Sequence, residues 1–268
     1  MEINSSSLIH YGNPPVIEVV CGILFKPLKK MLAPHLGLFW EKFKSQYPLC
    51  KEVPPIVPIV EIFPPGQLKE ELEISEIPPL PRVWFITENE TELIQVQRDR
   101  LLTNWRKIKP EDEYPRFKKV MSNFHKCLTQ FQEFVRENDI ESIVPIQYEL
   151  TYINHIPKGQ GWDSLNEIGK LFPDFSFRNI KGRFLLEPQN INWRMNFPFP
   201  DQAGRLHVTI RHGVTRETLQ PLISLELNAR GFSDIFEKWF DLAHKWIVYG
   251  FSDLTELEVQ KQIWKRKD

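Results

Sequence analysis

The sequence predicts an α+β protein made of two diverged copies of one unit: a strand, a helix, an antiparallel sheet and a closing helix. Three observations carry this expectation. Apolar residues alternate with period two in several runs and recur every three to four residues in others. The same order of elements occurs twice along the 268 residues. Short strings in the first half find counterparts roughly 120–130 residues later, always in the same order.

The first copy spans residues 1–140. Residues 16–25 are rich in β-branched side chains and follow Asn13-Pro14-Pro15, so they form a covered strand. A helix over 32–46 places Leu36, Phe39, Trp40 and Phe43 on one face and stops at Tyr47-Pro48. Residues 50–81 are dense in proline and enclose an acidic patch at Glu70 and Glu71, which predicts an exposed, semi-stiff insertion, with 57–63 as an edge strand. Strands follow over 82–87 and 93–105. Over 114–137 Phe117, Val120, Met121, Phe124, Leu128, Phe131 and Val135 make a helical stripe that must face a core.

The second copy spans residues 141–255. It reads as a strand over 143–156, a helix over 162–172, strands over 181–187, 192–197, 205–212 and 222–230, and a helix over 233–251. The charged segment 256–268 forms a short amphipathic helix ending at Trp264. Between the copies Glu18 matches Glu149, Leu93–Gln97 matches Leu222–Glu226, Phe117 matches Phe236, and His125-Lys126 matches His244-Lys245. At the fold level this unit resembles the helix-grip and TATA-binding-protein-like class, in which a curved sheet wraps a long helix. Such a likeness speaks of fold and not of function.

Composition narrows the function classes. A hydrophobic fraction of 41% with 19 Phe and 8 Trp against 12 Gly argues for a packed interior. A formal net charge of −1 provides no global field for nucleic acid or an anionic membrane. Cys21, Cys50 and Cys127 share no CxxC spacing, which points to free thiols in a reducing compartment. With no signal-peptide layout and no apolar run of about 18 residues, the expected location is the cytoplasm, away from membranes.

The richest polar constellation lies on the strand over 93–105, continued by Arg106. Taken as one strand, it places Gln95, Gln97, Asp99 and Thr103 on one face and Arg98 and Arg100 on the other. With Asn104, Trp105 and Arg106 these residues are the candidate binding site, a rim of guanidinium groups for an anionic or polar partner. Asn154 and His155, at a strand end, are secondary candidates. His207 and His212 fall on opposite faces of a strand and do not share a metal ion. Asp241 and His244 suit a helix-surface hydrogen bond rather than a metal site. No nucleophile elbow, phosphate loop or catalytic pair is present, so no cofactor and no enzymatic activity is expected.

Several strings also resemble a sporadically distributed, uncharacterised prokaryotic protein family. They are Asn13-Pro-Pro-Val-Ile-Glu-Val, Gln95-Val-Gln-Arg-Asp-Arg with Asn104-Trp-Arg, Tyr152-Ile-Asn-His-Ile, and Phe240-Asp-Leu-Ala-His-Lys-Trp with Gly250-Phe-Ser-Asp-Leu-Thr. The resemblance spans nearly the whole sequence. It implies no activity, and its patchy distribution is that of accessory genes such as phage-defence or toxin–antitoxin cargo. The expected function is therefore a non-enzymatic protein-binding component whose partner is the product of a neighbouring gene or a second copy of itself. The alternatives are nucleic-acid binding across the duplicated sheets, through Arg98, Arg100, Arg106, Lys107 and Lys109, and small-ligand binding under a curved sheet.

Overall fold

A computed structural model describes residues 8–63, 80–175, 184–215 and 218–267. The elements are β1 (His10–Tyr11), β2 (Val16–Phe25), α1 (Ala33–Glu41), β3 (Leu49–Val53), β4 (Arg82–Ile86), β5 (Glu92–Gln97), β6 (Arg100–Arg106) and α2 (Phe117–Glu137) in the first half. The second half contributes β7 (Pro145–Pro157), β8 (Asn192–Pro198), β9 (Gly204–Val214), β10 (Pro221–Gly231), α3 (Phe236–Leu254), α4 (Leu257–Gln262) and β11 (Arg266–Lys267). Among the described residues nine strands form one antiparallel sheet in the order β3-β4-β5-β6-β2-β7-β10-β9-β8. The fold is thus α+β, and both halves share one sheet. No helix among these residues is long and apolar enough to cross a membrane.

The halves join where β2 pairs with β7, with Val19 opposite Tyr152, Cys21 opposite Leu150 and Ile23 opposite Tyr148. Outward from this seam each side presents the last strand of its half first, β6 or β10, and then earlier strands in reverse order. One residue match is corrected by this order. Leu93–Gln97 lies in β5, one strand removed from the seam strand β2, whereas Leu222–Glu226 lies in β10, directly beside β7.

One face of the sheet is apolar. Val19, Cys21 and Ile23 on β2, Leu150 on β7, Leu225 and Leu227 on β10, and Val208 and Ile210 on β9 are all buried there. Helices α2 and α3 cover this face, α2 against β2 and β6, and α3 against β7, β9 and β10. Phe39 of α1 sits among Phe43, Phe85, Phe131 and Phe134 with ring centroids 5.0–5.9 Å away, tying α1 to α2 and β4. Tilted and edge-on pairs at this spacing suit the aromatic quadrupole.

The two long helices run antiparallel. Phe117, first in α2, stacks on His244 of α3 with centroids 3.9 Å apart and planes 5° apart. Phe236, first in α3, meets His125 of α2 edge-on at 5.9 Å. The expected hydrogen bond from His244 to Asp241 is replaced by this stack. Burial lowers the His244 pKa to about 4, so the ring is neutral at pH 7.

Four further expectations are corrected. Residues 93–105 are two strands joined by a tight turn at Arg98 and Asp99. Residues 165–170 form a 3-10 turn instead of an α-helix over 162–172, for Gly169 and Pro173 shorten the segment, although Leu165, Ile168 and Phe172 remain buried. Of the strand expected over 181–187, residues 181–183 lie outside the described residues, and 184–187 are irregular. Residues 57–63 form no strand. Glu70 and Glu71 lie outside the described residues. The C-terminal segment is integrated into the molecule, with Trp264 only 1% exposed and β11 paired with β1.

Two expected outcomes follow from packing. A Cβ at Gly231 would lie 2.1 Å from the Ala203 carbonyl oxygen, whereas one at Gly37 of α1 meets nothing within 4 Å. Gly231→Ala should cost about 1–3 kcal/mol and Gly37→Ala should gain about 0.5–1 kcal/mol in urea denaturation. For His244, the folded pKa lies below the unfolded value, so the unfolded protein takes up the proton first. Stability from this residue is complete above the unfolded pKa and declines as pH falls from there towards about 4. Urea midpoints of wild type and His244→Phe, compared across that window, should differ in slope, with a total of about 3 kcal/mol at most. Identical slopes would rule out a buried neutral imidazole.

Candidate functional site

The second face of the sheet carries polar side chains at alternate positions of much of β5, β6, β7, β9 and β10, and Glu18 at the start of β2. The β5–β6 hairpin explains how. Gln97 pairs with Arg100 and Gln95 with Leu102, and directly opposed residues share a face. Gln95, Gln97, Arg100 and Asn104 therefore lie together, whereas Thr103 and Trp105 point to the helices. This corrects the faces read from a single strand. Residues brought beside them by the sheet order are Glu18 on β2, Gln147, Glu149 and Thr151 on β7, Asn228 and Arg230 on β10, and Arg205 and His207 on β9.

Buried polar groups require partners, and a series of hydrogen bonds supplies many of them. Asn104 Nδ2 donates to Glu18 Oε1 at 2.6 Å, and Gln95 Nε2 donates to Asn104 Oδ1 at 2.6 Å. Gln95 Oε1 accepts from Arg82 Nη1 at 2.9 Å and Trp84 Nε1 at 3.0 Å. Burial raises the carboxyl pKa of Glu18 against its bond to Asn104, and that of Glu149 against the pull of Arg230 and Arg100. Arg100 is 3% exposed, and its Nε reaches Asp99 Oδ1 at 3.4 Å. Its Nη2 is buried without a hydrogen bond, as is Asn228 Oδ1.

Across this face runs the Pro-rich segment 54–63. Pro54, Pro55 and Pro58 lack the N–H that a strand ladder needs. Glutamine amides hold the segment instead. Ile56 N donates to Gln97 Oε1 at 2.8 Å, while Gln97 Nε2 donates to Ile56 O at 2.9 Å. Gln147 repeats the device: Glu61 N donates to its Oε1 at 2.8 Å and its Nε2 donates to Ile59 O at 3.0 Å. The Glu61 carboxylate bonds Arg205 and His207. Burial would raise its pKa, but His207 and Arg205 outweigh burial and hold it below the usual range. The Arg205 guanidinium also lies 4.4 Å from the Phe63 ring centroid.

The other candidates are scattered. Arg98, in the turn, donates from Nη2 to the Met31 carbonyl at 3.2 Å, and Arg106 donates to the Glu90 carbonyl at 2.9 Å. Both support loops. Asp99 accepts from Gln97 Nε2 at 2.8 Å and fixes that amide. Trp105 packs on Tyr114 with centroids 5.5 Å apart on the helix side. Asn154 also faces the helices, where its Nδ2 donates to the Leu225 carbonyl at 3.1 Å. His155 points the opposite way, with its pKa lowered by burial. Among the described residues no three His, Cys, Asp or Glu side chains cluster as for a metal. The Cys21 and Cys127 thiols are buried and pushed well up, which disfavours thiolate chemistry.

Sequence reasoning missed Glu61, Gln147, Arg205 and His207 as parts of this face. The available signal was polar alternation within β7, β9 and β10. No family model, curated protein or solved structure matches the protein.

Hydrogen exchange tests the clamp. Replacing Gln97 or Gln147 by alanine should speed exchange of the Ile56 or Glu61 amide, respectively, by about tenfold. Amides of β2 and β7 should keep their protection. Unchanged exchange at both sites would show that the glutamines do not hold the segment.

Proposed function

We propose that the protein is a non-enzymatic binding component whose polar sheet face holds an extended peptide, with its own segment 54–63 as the resident occupant. The observation that carries this reading is the pair of glutamine clamps. Each reads a backbone N–H and a backbone carbonyl, groups that every extended peptide offers. Glu61 adds an anchor through its carboxylate on Arg205 and His207. Buried, unpartnered Arg100 Nη2 and Asn228 Oδ1 leave capacity for a competing segment with better-placed acceptors and donors. The occupant is a segment of a partner protein that displaces the resident one, a form of recognition built on backbone hydrogen bonds with selectivity from the side chains.

The internal duplication belongs to the same proposal. It is supported by the reciprocal contacts Phe117 with His244 and Phe236 with His125, and by the mirrored strand order about the β2–β7 seam. Resemblance to the sporadically distributed prokaryotic family supports a partner encoded by a neighbouring gene in a phage-defence or toxin–antitoxin module. For nucleic acid the face is less suited, because Glu18, Glu61, Glu149 and Glu226 interleave with its arginines and Arg100 is buried.

A variant with residues 54–63 replaced by a Gly-Ser linker of equal length tests the reading. A labelled peptide of residues 53–63 should bind it with a roughly micromolar Kd and bind the intact protein far more weakly. Adding Gln97→Ala and Gln147→Ala should weaken binding by about tenfold or more. A folded linker variant that ignores the peptide would sink the proposal. Retention of single-stranded DNA or RNA that falls steeply with salt would favour the nucleic-acid reading instead.

A further inference from the structure

On the opposite side of the sheet the antiparallel helices leave a cavity of about 510 Å³. Its floor is Val16 of β2, Tyr152 and Asn154 of β7, and Leu227 of β10, and its walls are α2 and α3. His10 and Tyr11 of β1, held by pairing with β11, close one side. The volume falls in the range of small-molecule sites, and the lining is mainly apolar with a few convergent polar groups.

Those polar groups are specific in kind. The Tyr114 and Tyr152 hydroxyls are 2.6 Å apart. Such a pair uses one proton between the two oxygens and leaves the other free to donate. Neither phenol ionises near neutrality, since burial raises the pKa of both. His244 is neutral at pH 7, because burial lowers its pKa to about 4. The charged lining residues are Arg116, Lys118 and Lys245 against Asp241, an excess of positive charge. Arg116 stands at φ 72° and ψ 154°, a strained conformation that a non-glycine residue rarely adopts. There its Nη1 donates to the Tyr11 carbonyl at 2.8 Å, one of the five N–H bonds that a guanidinium can give.

We propose that this cavity binds a small amphipathic monocarboxylate, its apolar body against Leu227, Ile247 and Phe251 and its carboxylate on Arg116 and the free hydroxyl of the tyrosine pair. An apolar chamber supplies the burial, and a carboxylate is the compact anion that a guanidinium fork matches with two parallel bonds. Asn154, a secondary candidate from the sequence, lies in its floor. This inference is independent of the peptide-binding face, from which the sheet separates it.

Isothermal titration of the full-length protein with decanoate and with 1-decanol tests it. Decanoate should bind with a Kd below about 100 μM, and decanol, which has the same number of carbons without the charge, about tenfold more weakly. Val248→Trp, which fills the chamber from α3, should abolish binding of both while preserving the circular dichroism spectrum. Arg116→Gln should lose the preference for decanoate, and Arg116→Lys should retain part of it. No decanoate binding at roughly 1 mM would overturn the proposal. So would equal affinity for the two ligands, or wild-type affinity in a folded Val248→Trp variant.

Discussion

The antiparallel pairing of β2 with β7 is the constraint on which the rest of the molecule depends. It runs through the middle of the sheet and joins strands more than a hundred residues apart in sequence. Because side chains alternate along every strand, this single register sorts the residues of both halves onto two faces at once. Val19, Cys21 and Ile23 go to one side with Leu150, and Glu18 goes to the other with Gln147 and Glu149. A one-residue slip would bury the carboxylates under α2 and α3 and expose the apolar set.

The two faces then meet different needs. The apolar side has enough hydrophobic area to be covered by long helices whose aromatic stripes interlock, and burial of that area stabilises the sheet. The polar side has a different requirement, since buried amides and guanidinium groups cost free energy unless they are hydrogen-bonded. A helix would consume its own backbone groups and offer these side chains little. An extended, proline-containing segment keeps its carbonyls and several N–H groups free, and Gln97 and Gln147 take them. Proline density and the amide-lined face are therefore complementary, and the feature that bars residues 54–63 from a strand suits them to this position.

The same kind of Phe–His contact occurs twice between the long helices. Phe117 against His244 and Phe236 against His125 join the first residue of each helix to the middle of the other. Between the Phe117–His244 contact and the β1–β11 ribbon lies the cavity with Arg116 at its side. The imidazole in this stack is buried, and burial lowers its pKa and keeps it neutral at pH 7.

Much of the fold was legible in the sequence, and the reasons are local. The period-two runs of β7, β9 and β10, the continuous apolar run of β2 and the helical stripes of α2 and α3 record what each element buries. Polar candidates Gln95, Gln97, Arg100 and Asn104 were also recognisable, because polar residues within an apolar alternation require partners. Where the backbone turns was less legible: Gln97-Arg98-Asp99-Arg100 contains no glycine, proline or asparagine, and Asp99 is its only turn-favouring residue. Strand β3 was missed because its residues are mostly exposed at the sheet edge and carry no apolar pattern. The partners of the polar face depend on contacts such as Glu61 with His207, formed by residues 146 positions apart. Local pattern alone determined most of the central strands, the long helices and the need to satisfy polar groups. Only the tertiary structure decided which groups satisfy one another, because the strand order, rather than distance along the sequence, sets their neighbours.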